Sequence, residues 1–131
     1  MVLQVAAHTP VWMGAMTRVV IRFERAFWRS LGLSGAVMSH VGPMREIHDM
    51  SGPEGGPVAL FGFVPPVAPG GALLPLERMR SAAGPEAHAS VQPGEVGAQL
   101  AAIFDSGMPE PLEILITDWR TEPLTSPTGL E

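Results

Sequence analysis

Residues 18–24 read RVVIRFE, and the alternation in this run constrains the fold more than any other feature of the chain. Val19, Ile21 and Phe23 fall on one side, while Arg18, Val20, Arg22 and Glu24 fall on the other. A period of two separates those sets only in an extended strand, with successive side chains on opposite faces. The run therefore predicts a strand that buries one face and leaves charge on the other.

Further segments repeat the pattern. AVMSH at 36–40 reads as a short strand, and Gly42-Pro43 marks a turn. MREIHDM at 44–50 alternates again, with Met44, Glu46, His48 and Met50 set against Arg45, Ile47 and Asp49. VALFGFV at 58–64 is mostly apolar and bounded by Pro and Gly, as expected for a buried strand. Gly62 inside it points to close approach by another group or to a bulge. Residues 65–92 form a Pro-, Gly- and Ala-rich insertion in which ALLPLERMRSA is expected to form a short helix. PGEVGAQLAAIFDSG then predicts a helix: Pro93 suits its first turn, Glu95 its positive end and Gly107 its stop. Val96, Leu100, Ile103 and Phe104 share one face of it. EILITDW at 113–119 reads as a last strand.

Four strands, an insertion, a helix and a strand give an α+β fold with a mixed, mainly antiparallel sheet of about five strands and one main helix. The mixed character is expected because a helix joining VALFGFV to EILITDW suits a parallel crossover. At 131 residues the chain is read as a single domain.

Composition narrows the function classes. Hydrophobic residues make up 46% and charged residues 16%, against about 25% charged in ordinary soluble domains. Such a chain either packs well or has apolar surface that something else covers. The net charge is -5, Lys is absent and no basic run occurs, which argues against nucleic acid as a partner. Cys is absent, so disulfides and thiolate metal sites are excluded. No apolar run reaches about 18 residues, so no membrane span is expected. MVLQVAAHTP lacks a positive n-region, so no signal peptide is expected and the cytoplasm is the expected compartment.

Candidate chemistry is sparse. GLSGA at 32–36 resembles a nucleophile elbow but has Ala36 where the motif needs Gly; Ser34, Asp49 and His88 stand in a hydrolase-like order. His8, His40, His48 and His88 form no HxH or HxxxH pair, so metal-ligand spacing is lacking. Neither GxGxxG nor a Walker loop is present. Arg18, Arg22 and Glu24 share one strand face, either as a solvated charge set or as the polar wall of a site.

Longer phrases carry more. TPVWMGAMTRVVIRFERAFWRSLGLSG, GPMREIHDMSGPEGGPVALFGFV and PEPLEILITDWRTEPLTS resemble, in order and spacing, segments of the bacterial flavin-containing amine oxidases, the monoamine oxidase-like family. The likeness covers most of residues 9–64 and 93–126, and the insertion departs from it. None of the phrases is a catalytic signature alone. The resemblance implies a substrate-binding domain, a mixed sheet flanked by helices, that works with FAD. The family grips FAD with an N-terminal GxGxxG unit and a C-terminal segment, and neither occurs in this chain. The family's cage aromatics are not matched either, and the chain has no Tyr.

Three kinds of site residue follow from the resemblance. Arg18 stands where the family has a lysine that reaches through water toward the flavin. Arginine there is larger and keeps its charge. Phe61 and Phe63 match positions lining the substrate cavity, and Glu46 roughly matches another. The implied reaction is hydride removal from an amine to FAD, with this chain carrying the substrate-binding part and inactive alone. Its expected partners are an amine and a missing FAD-binding domain or chain. The alternatives are a non-catalytic module that completes a separate FAD-binding chain, and a small serine hydrolase using Ser34.

Overall fold

The computed structural model describes residues 16–66 and 90–119. Of the described residues, Thr17–Pro65 and Ser90–Thr117 form one compact unit, and Met16, Pro66, Asp118 and Trp119 fall in a second. In chain order the elements are β1 (Thr17–Arg22), α1 (Phe27–Ser30), β2 (Val37–Met38), β3 (Glu46–Asp49), β4 (Ala59–Val64), α2 (Pro93–Phe104) and β5 (Glu113–Asp118). All five expected strands and the main helix are present. The short helix expected within ALLPLERMRSA lies outside the described residues.

The strands form one open sheet in the order β2-β3-β4-β1-β5. β1 pairs antiparallel with β4, β4 with β3 and β3 with β2. β5 also runs against β1: the Leu112 amide bonds the Arg22 carbonyl at one end (2.9 Å) and the Trp119 amide bonds the Met16 carbonyl at the other (3.4 Å). The sheet is thus antiparallel throughout, and the expected mixed pairing is corrected. The α2 connection does join two strands of like direction, β4 and β5. They are not neighbours, because β1 lies between them. This is a split β-α-β arrangement.

One face of the sheet holds the core. Val19 and Ile21 of β1, Ile47 of β3, and Leu60 and Val64 of β4 are buried there. Val96, Leu100 and Phe104 of α2 join the same cluster, with Phe27 and Trp28 of α1. Ile103 and the β5 residues Ile114 and Ile116 pack at its margin. Both helices therefore cover the same side of the sheet. The four-residue α1 was not legible as a helix; its aromatic pair defines it. Phe27 meets Phe23, Trp28 and Phe104 edge-to-face at 5.2, 5.1 and 5.1 Å. Contacts of that geometry add about 0.5–1.5 kcal/mol each beyond burial.

Two polar links complete the packing. The α2 residue Gln99, 6% exposed, accepts the Met44 amide (2.9 Å) and donates to the carbonyls of Met44 and Val41 (2.7 Å each). It ties the helix to the loop before β3. At the helix start the Gln92 amide bonds the Glu95 carboxylate at 2.8 Å, so the acid expected at the positive end also caps the helix. The helix ends at Phe104, ahead of Gly107, where Asp105 takes a positive φ of 58° and opens a 3-10 turn, Asp105–Gly107.

The alternation in 44–50 breaks at one place. Glu46 stands opposite Phe63, and the Arg45 amide also bonds the Phe63 carbonyl at 3.0 Å. Two residues opposing one is the count of a β-bulge, and it reverses the parity of everything before it. Met44, expected on the side of Glu46, is instead fully buried in the core. It fills the space above Gly62, where a Cβ would lie 2.6 Å from the Met44 sulfur and 2.9 Å from the Glu46 carbonyl oxygen. Of the two sequence readings of Gly62, close approach holds; Gly62 itself keeps regular register, and the bulge lies in the neighbouring strand opposite Phe63.

Candidate functional site

The second face of the sheet collects the residues singled out in the sequence. β1 presents Arg18, Val20 and Arg22, set opposite in parity to the buried Val19 and Ile21. β4 presents Phe61 and Phe63, both half-buried, opposite in parity to the buried Leu60, Gly62 and Val64. β3 presents Glu46 and His48, on either side of the buried Ile47. Among the described residues, the two helices of the unit both join the core on the other face.

Register makes these residues neighbours. Arg18 pairs with Phe63, and Phe63 pairs with Glu46, so one row across the sheet reads Arg18, Phe63, Glu46. Met38 of β2 extends that row beyond Glu46 and is 73% exposed. The next row on this face reads Val20, Phe61, His48. Directly opposed residues in antiparallel strands hold their Cβ atoms about 4.5–5.5 Å apart. All four expected site residues, Arg18, Glu46, Phe61 and Phe63, therefore occupy one continuous patch.

The side chains in the patch touch. Phe61 and Phe63 meet edge-to-face at 5.5 Å. His48 stacks on Phe61 at 5.3 Å with 30° between the planes. Its Nε2 lies 3.5 Å from a Glu46 carboxylate oxygen. The patch is an aromatic strip with an acid and an imidazole on one flank and a guanidinium on the other. An apolar body fits the strip, and a cationic group fits Glu46. Further along the face Arg22 pairs with Glu113 of β5 at 2.9 Å. That pair was not foreseen, because Glu113 is 91 residues away in the chain.

His48 is the member that sequence reasoning passed over, noting it only as one of four histidines without metal-ligand spacing. The i, i+2 spacing from Glu46 in EIHD was the available signal. Glu46 is half-exposed and has His48 as a partner.

The other phrases of the sequence serve packing on the core side. Asp49 accepts Trp28 Nε1 at 2.8 Å, Arg29 Nε at 2.9 Å and the Ser51 amide at 2.8 Å, and a second Arg29 nitrogen lies 2.8 Å away. Burial pushes its carboxyl up, but the bonds from Ser51, Trp28 and Arg29 outweigh that and hold it at about 2. Gly35, at φ 76°, passes so close that a Cβ would sit 2.9 Å from both Asp49 Cβ and Trp28 Nε1. FWR, GLSG and EIHD are thus three parts of one structural joint.

That joint bears on the hydrolase alternative. Asp49 is engaged by Trp28, Arg29 and Ser51, and the exposed Ser34 hydroxyl accepts the Ala36 amide of its own turn at 3.2 Å. His88 lies outside the described residues, as does His8. Among the described residues no three His, Asp or Glu side chains are placed to hold a metal ion, and no helix is long and apolar enough to cross a membrane. No family model matches the chain, and no curated protein is detectably similar to it.

Proposed function

We propose that this chain carries the amine-binding face of an FAD-dependent amine oxidase, the substrate-binding part of an enzyme whose flavin is held by other residues. The observation that supports the reading is the convergence of Arg18, Glu46, Phe61 and Phe63 on one sheet face in adjacent registers. These positions were chosen by resemblance from three separate strands, and their common face is independent of how they were chosen.

The residues described have defined shares in this reading. Phe61 and Phe63 receive the apolar or aromatic body of an amine. Glu46 attracts its ammonium, an exposed interaction worth up to about 1 kcal/mol. Arg18 supplies a fixed positive charge at the far end of the same row, one that arginine keeps at any working pH. In an oxidase of this kind bound FAD accepts the hydride, while the protein binds, orients and sets the field. The sequence lacks the GxGxxG motif that would cradle a pyrophosphate. The flavin belongs to another segment or chain, and no catalytic step is assigned to this patch.

The test is a titration of the isotope-labelled full chain with phenethylammonium, followed by amide shifts in NMR. Shifts confined to Arg18, Glu46, His48, Phe61 and Phe63 and their strand neighbours are expected, with phenethyl alcohol binding more weakly. Glu46→Gln should lower the amine affinity by up to about 5-fold. Shifts elsewhere, or equal affinity for the alcohol and the amine, would refute the reading. Dialysis of the same chain against FAD should leave it colourless, and stoichiometric bound flavin would contradict the division of labour proposed here.

A further inference from the structure

Within the patch, His48 holds a position the proposed reading leaves unused. Its imidazole lies between the two groups that an amine would engage: 3.5 Å from the Glu46 carboxylate and stacked at 5.3 Å on Phe61. Its side chain is 40% exposed and that of Glu46 is 49% exposed, so solvent protons and ligands reach both. A neutral imidazole leaves the carboxylate its charge. An imidazolium in the same place cancels much of it and repels a second cation. Histidine is the side chain that ordinarily gains charge between pH 8 and pH 5.

We infer that His48 is a pH-sensitive gate on cation binding at this face: protonated, it occupies Glu46 as an internal counter-ion and excludes the ammonium of an amine ligand. The inference rests on the amine-binding reading of the same patch and adds to it a residue that decides when the patch accepts a cation. Among the described residues Glu46 is the one ion-pair partner of His48, and Arg45, next to Glu46 in the chain, keeps its charge over the whole range. On this face β4 presents Ala59, Phe61 and Phe63, and β2 presents Met38, none of which titrates. Arg18 lies across Phe63 and Arg22 is tied to Glu113 at 2.9 Å; both guanidinium groups keep their charge over the whole range. His40 sits in the exposed loop after β2. Asp49 points to the core side and stays ionised down to about pH 2.

The geometry also sets the size of the effect. Both partners are half-exposed, so the competition is that of a surface ion pair, and the expected change is about 2- to 5-fold. Phenethylammonium keeps its own charge from pH 5 to pH 8, so any change reports the protein. Affinity of the full chain for this probe is measured at both pH values by NMR titration. Wild type should bind about 2- to 5-fold more weakly at pH 5 than at pH 8. His48→Gln should bind equally at both. His40→Gln should keep the wild-type dependence. Glu46→Gln should bind weakly and without pH dependence, because the charge being contested is gone.

The outcomes separate the two readings. Amine binding on this face with the same pH dependence in wild type and His48→Gln overturns the gate and leaves the amine-binding reading standing. No binding on this face at either pH overturns both. A wild-type dependence abolished by His40→Gln instead of His48→Gln also overturns the gate. Tryptophan fluorescence of each variant, dominated in the core by the buried Trp28, checks that the fold is retained.

Discussion

Asp49→Asn tests the joint between α1 and β3. The carboxylate is 14% exposed and its two oxygens divide the donors unequally. One oxygen takes Trp28 Nε1 and Arg29, and the other takes the Ser51 amide. Asparagine has one carbonyl oxygen to offer and an amide that only donates. If its oxygen faces Trp28 and Arg29, its NH2 meets the Ser51 N–H; turned round, it meets an indole N–H and a guanidinium. Either placement opposes donors to a donor inside a packed joint, and no rotamer avoids it.

The magnitude follows from the carboxyl's own equilibrium. Its value falls from 3.8 to about 2, which corresponds to about 2 kcal/mol of stabilisation of the charged form. The Arg29 share is screened, because that side chain is 45% exposed, so most of the effect comes from Ser51 and Trp28. Since the folded value lies below the unfolded one, this stabilisation is fully present above about pH 4 and is lost as pH falls toward 2. Urea unfolding followed by tryptophan fluorescence should show Asp49→Asn about 2 kcal/mol less stable than wild type at pH 7. The gap between the two proteins should shrink between pH 4 and pH 2. A gap below about 0.5 kcal/mol at pH 7, or one that does not change over that range, refutes the argument.

Two further substitutions probe the core side. Gln99→Leu removes three hydrogen bonds and leaves the Met44 amide and carbonyl buried without partners; urea unfolding should show a loss of about 3 kcal/mol. Gly62→Ala places a methyl 2.6 Å from the Met44 sulfur and 2.9 Å from the Glu46 carbonyl, and should cost about 1–3 kcal/mol by the same measurement. In a Met44→Ala background, itself destabilised by loss of a buried side chain, Gly62→Ala should cost less than in wild type but still something, because the backbone carbonyl remains.

Much of this architecture was legible because strands write their faces into the sequence. RVVIRFE separated Val19 and Ile21 from Arg18 and Arg22, and the structure buries the first pair and exposes the second. VALFGFV put Phe61 and Phe63 on one face and flagged Gly62, and EIHD put Glu46 and His48 together. These are local properties of a two-residue period, fixed by backbone sterics before any tertiary contact forms. Val96, Leu100 and Phe104 were legible as the buried stripe of α2 for the same reason, at a period of 3.6.

What escaped the sequence depends on which strands meet. Helix α2 between β4 and β5 suggested a parallel pair, but β1, some 90 residues before β5, takes the place between them and makes every pairing antiparallel. Met44 was assigned to the wrong face because one extra residue at Arg45 reverses the alternation, and a bulge exists only relative to its partner strand. The Trp28–Asp49 bond, the Gln99 clamp and the Arg22–Glu113 pair join residues 21, 55 and 91 positions apart. The sequence by itself therefore determined which residues share a face of each strand. Only the tertiary structure decided that the faces carrying Arg18, Glu46, His48, Phe61 and Phe63 adjoin, because strand order and register arise from long-range pairing that no local pattern encodes.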